Sequence, residues 1–150
     1  MRIACSLGSL LSVEEVIQCT ELVSKTGIDS IWIPETWGME NFSMLGAVAN
    51  KTKTQKIGSS IINIYSRSPS TIAMGSATTD TLSNGRLILG LGTSSVPIVE
   101  DFHGEKFENP VQRMREYVEI IRLSLMKKQI NYSGKIFDLK NFTLLIEPKR

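Results

Sequence analysis

The chain has 150 residues, of which 41% are hydrophobic and 21% charged, and its 17 Lys and Arg against 15 Asp and Glu leave a formal net charge of +2. That balance describes one globular domain, residues 1–150, long enough to bury a core; it excludes a disordered chain, and basic residues that cluster no further than Lys127-Lys128 and Lys149-Arg150 exclude a nucleic-acid surface. No run reaches the roughly 18 apolar residues of a membrane span. Cys5 and Cys19, with no CxxC pair or His/Cys cluster, predict reduced thiols and neither zinc nor a disulfide framework. The opening residues lack a small-residue cleavage site, so the expected location is cytoplasmic.

Along the chain, a first strand is predicted over Ile3 to Leu7. Ser12 and Glu15 then form a capping box, and Val13, Val16, Ile17, Thr20 and Val23 trace one helical face as far as Gly27. A second strand follows at Ile31 to Ile33, and Ser43 is placed to cap a helix containing Met44, Leu45, Val48 and Ala49. The third strand is expected over Ile57 to Ile64. Ser68-Pro69 opens a third helix through Ile72, Ala73 and Ala77, which Asn84-Gly85 ends. Leu87 to Leu91 reads as a fourth strand, apolar on both faces and suited to the interior of a parallel sheet. Asn109-Pro110 opens a fourth helix with a stripe of Met114, Tyr117, Val118, Ile121 and Leu125. After it, Ile130-Asn131-Tyr132, a Ser133-Gly134 turn and Lys135-Ile136-Phe137 predict a β-hairpin.

Strand, helix, strand at about thirty residues per unit is the βαβ pattern, which permits a closed eight-stranded barrel or an open doubly wound sheet. Either one places chemistry at the carboxyl ends of the strands. Those ends carry Ser6, then Glu35-Thr36-Trp37, then Asn63, then Gly92-Thr93-Ser94-Ser95. The glycines of Gly90-Leu91-Gly92 permit close backbone approach, but Ser95 stands where a dinucleotide fingerprint needs its third glycine, so a phosphate loop is not expected. His103, the sole histidine, cannot make a metal site alone and is expected in loop packing. Arg67, just before a helix start, is expected at the surface, the alternative being an anionic cofactor tail.

With those residues in view, the chain resembles the luciferase-like family of flavin and deazaflavin oxidoreductases and monooxygenases, particularly the members related to methylenetetrahydromethanopterin reductase. The resemblance rests on the segments Gly27 to Glu35, Ile61 to Pro69 and Asp80 to Arg86 leading into Gly90-Leu91-Gly92-Thr93, and on Phe102-His103-Gly104 before Phe107. It implies an α/β fold, the first four βα units of a (β/α)8 barrel plus a hairpin excursion, cut before the fifth strand. It also implies a reduced deazaflavin coenzyme of the F420 type, with FMN as the rival, lying across the strand ends and exchanging hydride with a small organic substrate.

In that family a non-proline cis peptide in the third strand backs the ring, and the motif places it at Ser60-Ile61. Ser6, Thr36, Ser60, Ile61, Asn63, Gly92, Thr93, Ser94 and Ser95 are the residues implied to hold the cofactor. Many relatives have an imidazole at the position of Thr36, and sugar-phosphate dehydrogenases of the family have a glutamate at that of Ser95. Both are replaced here, which leaves Glu35 and Trp37 as the implied catalytic pair, the one to orient or move a proton and the other to wall the pocket. An incomplete barrel is expected to be inactive alone and to associate with a second copy or a complementary half-barrel. The alternatives are a flavodoxin-like module binding a mononucleotide, with strand order 2-1-3-4 in place of 1-2-3-4, and a noncatalytic remnant.

Overall fold

The computed structural model describes residues 1–8, 10–126 and 129–149, so the Lys127-Lys128 pair lies outside the described residues. By the density of its internal contacts the chain divides into two compact units, Met1–Ile62 with Thr79–Leu91 and Lys149–Arg150, and Asn63–Thr78 with Gly92–Pro148.

The first unit is built on parallel strands. β1 (Ala4–Ser6) leads into α1 (Val13–Val23), where the capping box forms as the sequence predicts: Glu15 N donates to Ser12 Oγ at 3.2 Å and Ser12 N to Glu15 Oε2 at 2.7 Å. The helix stops at Val23, before Gly27, because the Ser24 and Thr26 hydroxyls donate to the Glu21 and Val23 carbonyls and turn the chain early. After β2 (Ser30–Ile33), α2 (Asn41–Lys51) begins two residues ahead of Ser43. Its cap is Glu40, whose carboxylate accepts from Phe42 N at 3.2 Å and Ser43 N at 2.7 Å. A carboxylate satisfies two orphan N–H groups and meets the positive end of the helix dipole, which a serine inside the first turn does not.

β3 (Lys56–Ser59) and β5 (Leu87–Ile88) complete a sheet of order β1-β2-β3-β5 in which every neighbouring pair is parallel. This consecutive order rules out the flavodoxin-like alternative, in which the first strand lies between the second and third. One sheet face carries Ile31, Ile33, Ile57 and Leu87, which pack with Val16 of α1 and Met44, Leu45, Val48 and Ala49 of α2. Each such side chain contributes about 1.5–3 kcal/mol on burial. The opposite face lines an open groove of about 610 Å³ with Ala4, Ser30, Trp32, Lys56 and Ile88.

Arg86 ties the helix ends of this unit to the start of β5. Only 9% exposed, it donates from Nε to the Ser83 carbonyl at 2.6 Å, from one terminal nitrogen to Thr52 Oγ1 and the Gln55 carbonyl, both at 2.7 Å, and from the other to the Ala49 and Thr52 carbonyls at 3.0 and 2.9 Å. Burial lowers its pKa. Carbonyl dipoles compensate the buried charge here, and in return the guanidinium caps the carboxyl ends of α2 and α3 (Pro69–Leu82).

The third expected strand is broken. Its ladder with β5 ends at the pair Gly58 and Ile88, and beyond it a side chain replaces the backbone rung: Ser59 Oγ donates to the Gly90 carbonyl and accepts from Gly90 N, both at 2.8 Å. The next backbone rung runs from Ile62 N to that same Gly90 carbonyl at 2.9 Å, so Ser60 and Ile61 bulge out between. The Ser60-Ile61 peptide is cis. The fourth expected strand divides at the same level into β5 and β6 (Leu91–Gly92), the latter hydrogen-bonded to β4 (Ile62–Asn63).

In the second unit, Ser68 Oγ accepts from Thr71 N at 3.2 Å and Pro69 occupies the first position of α3, as expected. A π-helical turn, Pro97–Phe102, precedes α4 (Pro110–Leu125). Asn109 stands at the α4 N-cap but has φ of 50° and makes no side-chain capping bond, so Pro110 alone performs the expected starting role. The buried face of α4 is Glu116, Tyr117, Ile120, Ile121 and Ser124, while Met114, Val118 and Leu125 of the expected stripe are half-buried.

Glu116 explains that rotation. Its carboxylate, 1% exposed, accepts from Gln112 Nε2 at 2.8 Å and from the backbone N–H groups of Lys135, Ile136 and Phe137 at 2.8, 3.1 and 3.0 Å. It thereby organises the turn between β7 (Ile130–Ser133) and β8 (Asp138–Phe142), so the returning strand starts at Asp138 and not at Lys135. Burial pushes the Glu116 carboxyl up, but the bonds from Gln112 and the three amides outweigh it and hold its pKa below the usual carboxylate value.

Two measurements check these contacts. A Cβ at Gly90 would collide with the Ser59 carbonyl oxygen, so Gly90→Ala is expected to cost about 3 kcal/mol in denaturant unfolding; a cost under ~1 kcal/mol contradicts the close approach. Because the folded pKa of Glu116 is depressed, its stabilisation is present above the unfolded carboxyl value near 4.5 and is lost as the pH falls through the folded value. Glu116→Gln, which turns an NH2 toward backbone donors, should lower stability by about 2 kcal/mol at pH 7 and flatten its acid dependence below pH ~4.5.

Candidate active site at the strand ends

In the first unit the residues that follow the strands are short or hydroxylic. Ser6 and Ser60 are exposed, and Thr36 and Ile61 are half-buried. The position of the β3 tip is fixed by Ser60 N, which donates to the Ile33 carbonyl at 2.9 Å, and by the Ser59–Gly90 pair. Glu35 is half-buried and accepts from Asn41 N at 3.0 Å, at the first residue of α2. Asn41 is fully buried and its Nδ2 donates to the Ile33 carbonyl at 2.7 Å, so β2, its following loop and α2 are laced together by two side chains. Trp37, 64% exposed, projects from that loop.

In the second unit Asn63 is 2% exposed, and its Oδ1 accepts from Tyr65 N at 2.9 Å, the Asx-turn geometry that a strand-end asparagine supplies. Gly92, Thr93 and Ser94 are half-buried and Ser95 is exposed. Ser94 has φ of 60°, in the left-handed region where glycine or asparagine is usual, so the chain turns sharply as it leaves β6. The Ser95 carbonyl accepts from Val99 N at 2.9 Å and starts the π-helical turn, at whose far end His103 N donates to the Ile98 carbonyl.

The chemistry of these strand ends suits a flat heteroaromatic ring. Side chains no larger than isoleucine at Ser6, Thr36, Ser60 and Ile61 let a planar group approach the backbone, and hydroxyls supply donors and acceptors. Among the described residues no group of three His, Cys, Asp or Glu could hold a metal ion, both cysteines are free thiols, and no helix is long and apolar enough to cross a membrane. Sequence reasoning passed over Ser59, Asn41 and Glu116. For Glu116 the one signal was a carboxylate within an apolar helical stripe; for Ser59 it was a hydroxyl in an apolar strand opposite a glycine.

Comparison with known proteins agrees with this architecture. The chain is 36% identical over 129 residues to the 5,10-methylenetetrahydromethanopterin reductase of Archaeoglobus fulgidus, an alignment covering 85% of this chain and 39% of the relative. Its structure matches the monooxygenase RslO1 from Streptomyces bottropensis with a TM-score of 0.91 at 19% identity, over 100% of this chain and 50% of that one. It likewise matches the coenzyme F420-dependent tetrahydromethanopterin reductase from Methanopyrus kandleri with a TM-score of 0.88 at 22% identity, over 99% of this chain and 47% of that one. The chain thus spans about half the length of these structures, and its sheet is part of a (β/α)8 barrel. The family model described as luciferase-like monooxygenase matches residues 1–150, and the chain belongs to that family of oxidoreductases.

Proposed function

We propose that this chain is the ring-binding part of a luciferase-like oxidoreductase that uses a reduced deazaflavin of the F420 type and transfers hydride to a small organic substrate. What carries the reading is the likeness to the methylenetetrahydromethanopterin reductase, which runs through most of the chain. When bound, a reduced deazaflavin supplies a hydride donor at its central ring carbon.

The chain's own residues supply position and dryness. In the first unit Ser6, Thr36, Ser60 and Ile61 are assigned to the ring, the hydroxyls to its polar atoms and Ile61 to its apolar face. In the second unit, taken by itself, Gly92, Thr93, Ser94 and Ser95 are assigned to cofactor contact, with Asn63 acting by shaping the turn, since its oxygen is already bonded to Tyr65 N. The Glu35 carboxylate accepts from Asn41 N at the start of α2, and it is assigned to orienting the substrate. Trp37 is assigned to the substrate wall, where its exposed indole would exclude water. The groove beside Trp32 and Ile88 is assigned to a partner, a second copy or a complementary half-barrel, that turnover requires.

Anaerobic titration of the purified chain with oxidised F420 and with FMN, followed by ring fluorescence and run beside sedimentation, tests this. The expected result is a dimer or larger species that binds F420 about tenfold more tightly than FMN, a difference of about 1.4 kcal/mol. Tighter FMN binding, or binding of neither, contradicts the cofactor assignment, and a monomer that turns over contradicts the need for a partner.

A further inference from the structure

The segment that follows β4 is short and polar. Asn63 turns the chain, Ser66 Oγ donates back to the Asn63 carbonyl at 2.8 Å, and Arg67 ends the turn before α3. Four residues on or just before α4 reach this segment. Tyr65 Oη donates to the Glu108 carbonyl at 2.9 Å while its ring stacks on Phe107 with centroids 5.3 Å apart. The Arg113 guanidinium carbon lies 4.5 Å from the centre of the Tyr65 ring and 5.4 Å from that of Phe137, so the cation sits between a residue of the turn and a residue of the hairpin. The hydroxyl of Tyr117, a residue 1% exposed, donates to the Arg67 carbonyl, and its ring meets Phe137 edge-on at 5.1 Å.

The chemistry of this cluster is unlike ordinary core packing. Arg113 Nε is buried without a hydrogen-bond partner, while the guanidinium faces the Tyr65 ring, an arrangement that attracts through the aromatic quadrupole, and also interacts with the Tyr65 and Tyr117 hydroxyls. Burial pushes the phenols of Tyr65 and Tyr117 up, against the lowering effect of the nearby Arg113 cation. Glu116, one residue before Tyr117, faces the hairpin turn and makes no bond to residues 63–67. Consecutive residues of α4 therefore serve different clients, and the two functions can be separated by mutation.

We propose that Arg113 and Tyr117 are positioning residues of the redox site, which fix the turn Asn63–Arg67 through the Tyr65 ring and the Arg67 carbonyl and so set the tip of β4 for the ring-bearing ligand. The inference rests on the cofactor reading given above. It locates the control of a strand tip in a helix that lies beyond it in sequence, and it gives the aromatic cluster a task that stability alone does not require.

The test uses the full chain with Tyr117→Phe, which keeps the ring and removes one hydrogen bond, Arg113→Met, which keeps the stem and removes the cation, and Glu116→Gln as the control. In ligand-free protein, amide hydrogen exchange at residues 63–67 should rise about tenfold in the first two variants and stay at the parent rate in the control, although the control melts at a lower temperature. F420 titration should then weaken about tenfold in Tyr117→Phe and Arg113→Met and remain unchanged in Glu116→Gln. Unchanged exchange at 63–67 overturns the proposal outright. Raised exchange with unaltered F420 affinity overturns the link to the site, and weakened affinity in all three variants in proportion to their melting reduces the cluster to packing. Absence of F420 binding by the parent chain removes the cofactor reading and this inference with it, whereas binding by the parent isolates the inference as the idea under test.

Discussion

The contact between the Ser59 side chain and the backbone of Gly90 is the constraint from which the strand-end region follows. One hydroxyl exchanges two hydrogen bonds with a single glycine, and the backbones come so close that no Cβ fits there. A regular parallel ladder would continue from Gly58 and Ile88 through the next pair; with Ser59 occupying that rung, Ser60 and Ile61 are extruded and pairing resumes at Ile62. The extruded pair stands where a barrel of this family presents its chemistry, at the carboxyl end of a strand.

Both units place a buried charge against backbone and not against an opposite charge. Arg86 faces four carbonyls and a hydroxyl in the first unit, and Glu116 faces three amides and a glutamine in the second. Each charge ties together elements far apart in sequence, the ends of α2 and α3 in one case and α4 with the β7–β8 turn in the other. Such an arrangement avoids the loss that breaking a buried ion pair entails, since most of the partners are backbone groups that no substitution removes. The strand ends show the opposite pattern. Ser6, Ser60 and Ser95 are exposed and lie apart from these networks, which is the distribution expected when side chains are kept for a ligand.

Much of this was legible in the residues. The capping box at Ser12, the Ser68-Pro69 start of α3 and the Asn84-Gly85 stop come from local chemistry, where one or two side chains decide the outcome, whereas the strand order, which the βαβ spacing leaves open, comes from the sheet itself. The departures share a cause in tertiary contacts. Glu40 caps α2 because its carboxylate reaches two amides that Ser43 cannot serve from inside the helix. The hairpin returns late because Glu116, nearly twenty residues upstream, holds its turn. Strands three and four read as continuous apolar runs because periodicity carries no sign of a serine that reaches across to a neighbouring backbone. For the site, the βαβ register locates the strand ends, while Glu35 and Asn63 prove to be engaged in local hydrogen bonds that residue type alone does not reveal.

The family likeness supplies the fold and the class of chemistry, and the geometry supplies the division of labour: buried charges hold backbone, Arg113 and Tyr117 of α4 hold a turn, and short side chains occupy the strand ends. The central claim is that those strand ends receive a flat redox ring. Amide chemical-shift mapping of the chain on addition of oxidised F420 tests it most directly. The account predicts that within the first unit the largest shifts fall on Ser6, Ser60 and Ile61; shifts concentrated at Asp29 and Lys56, at the opposite ends of the strands, would contradict it.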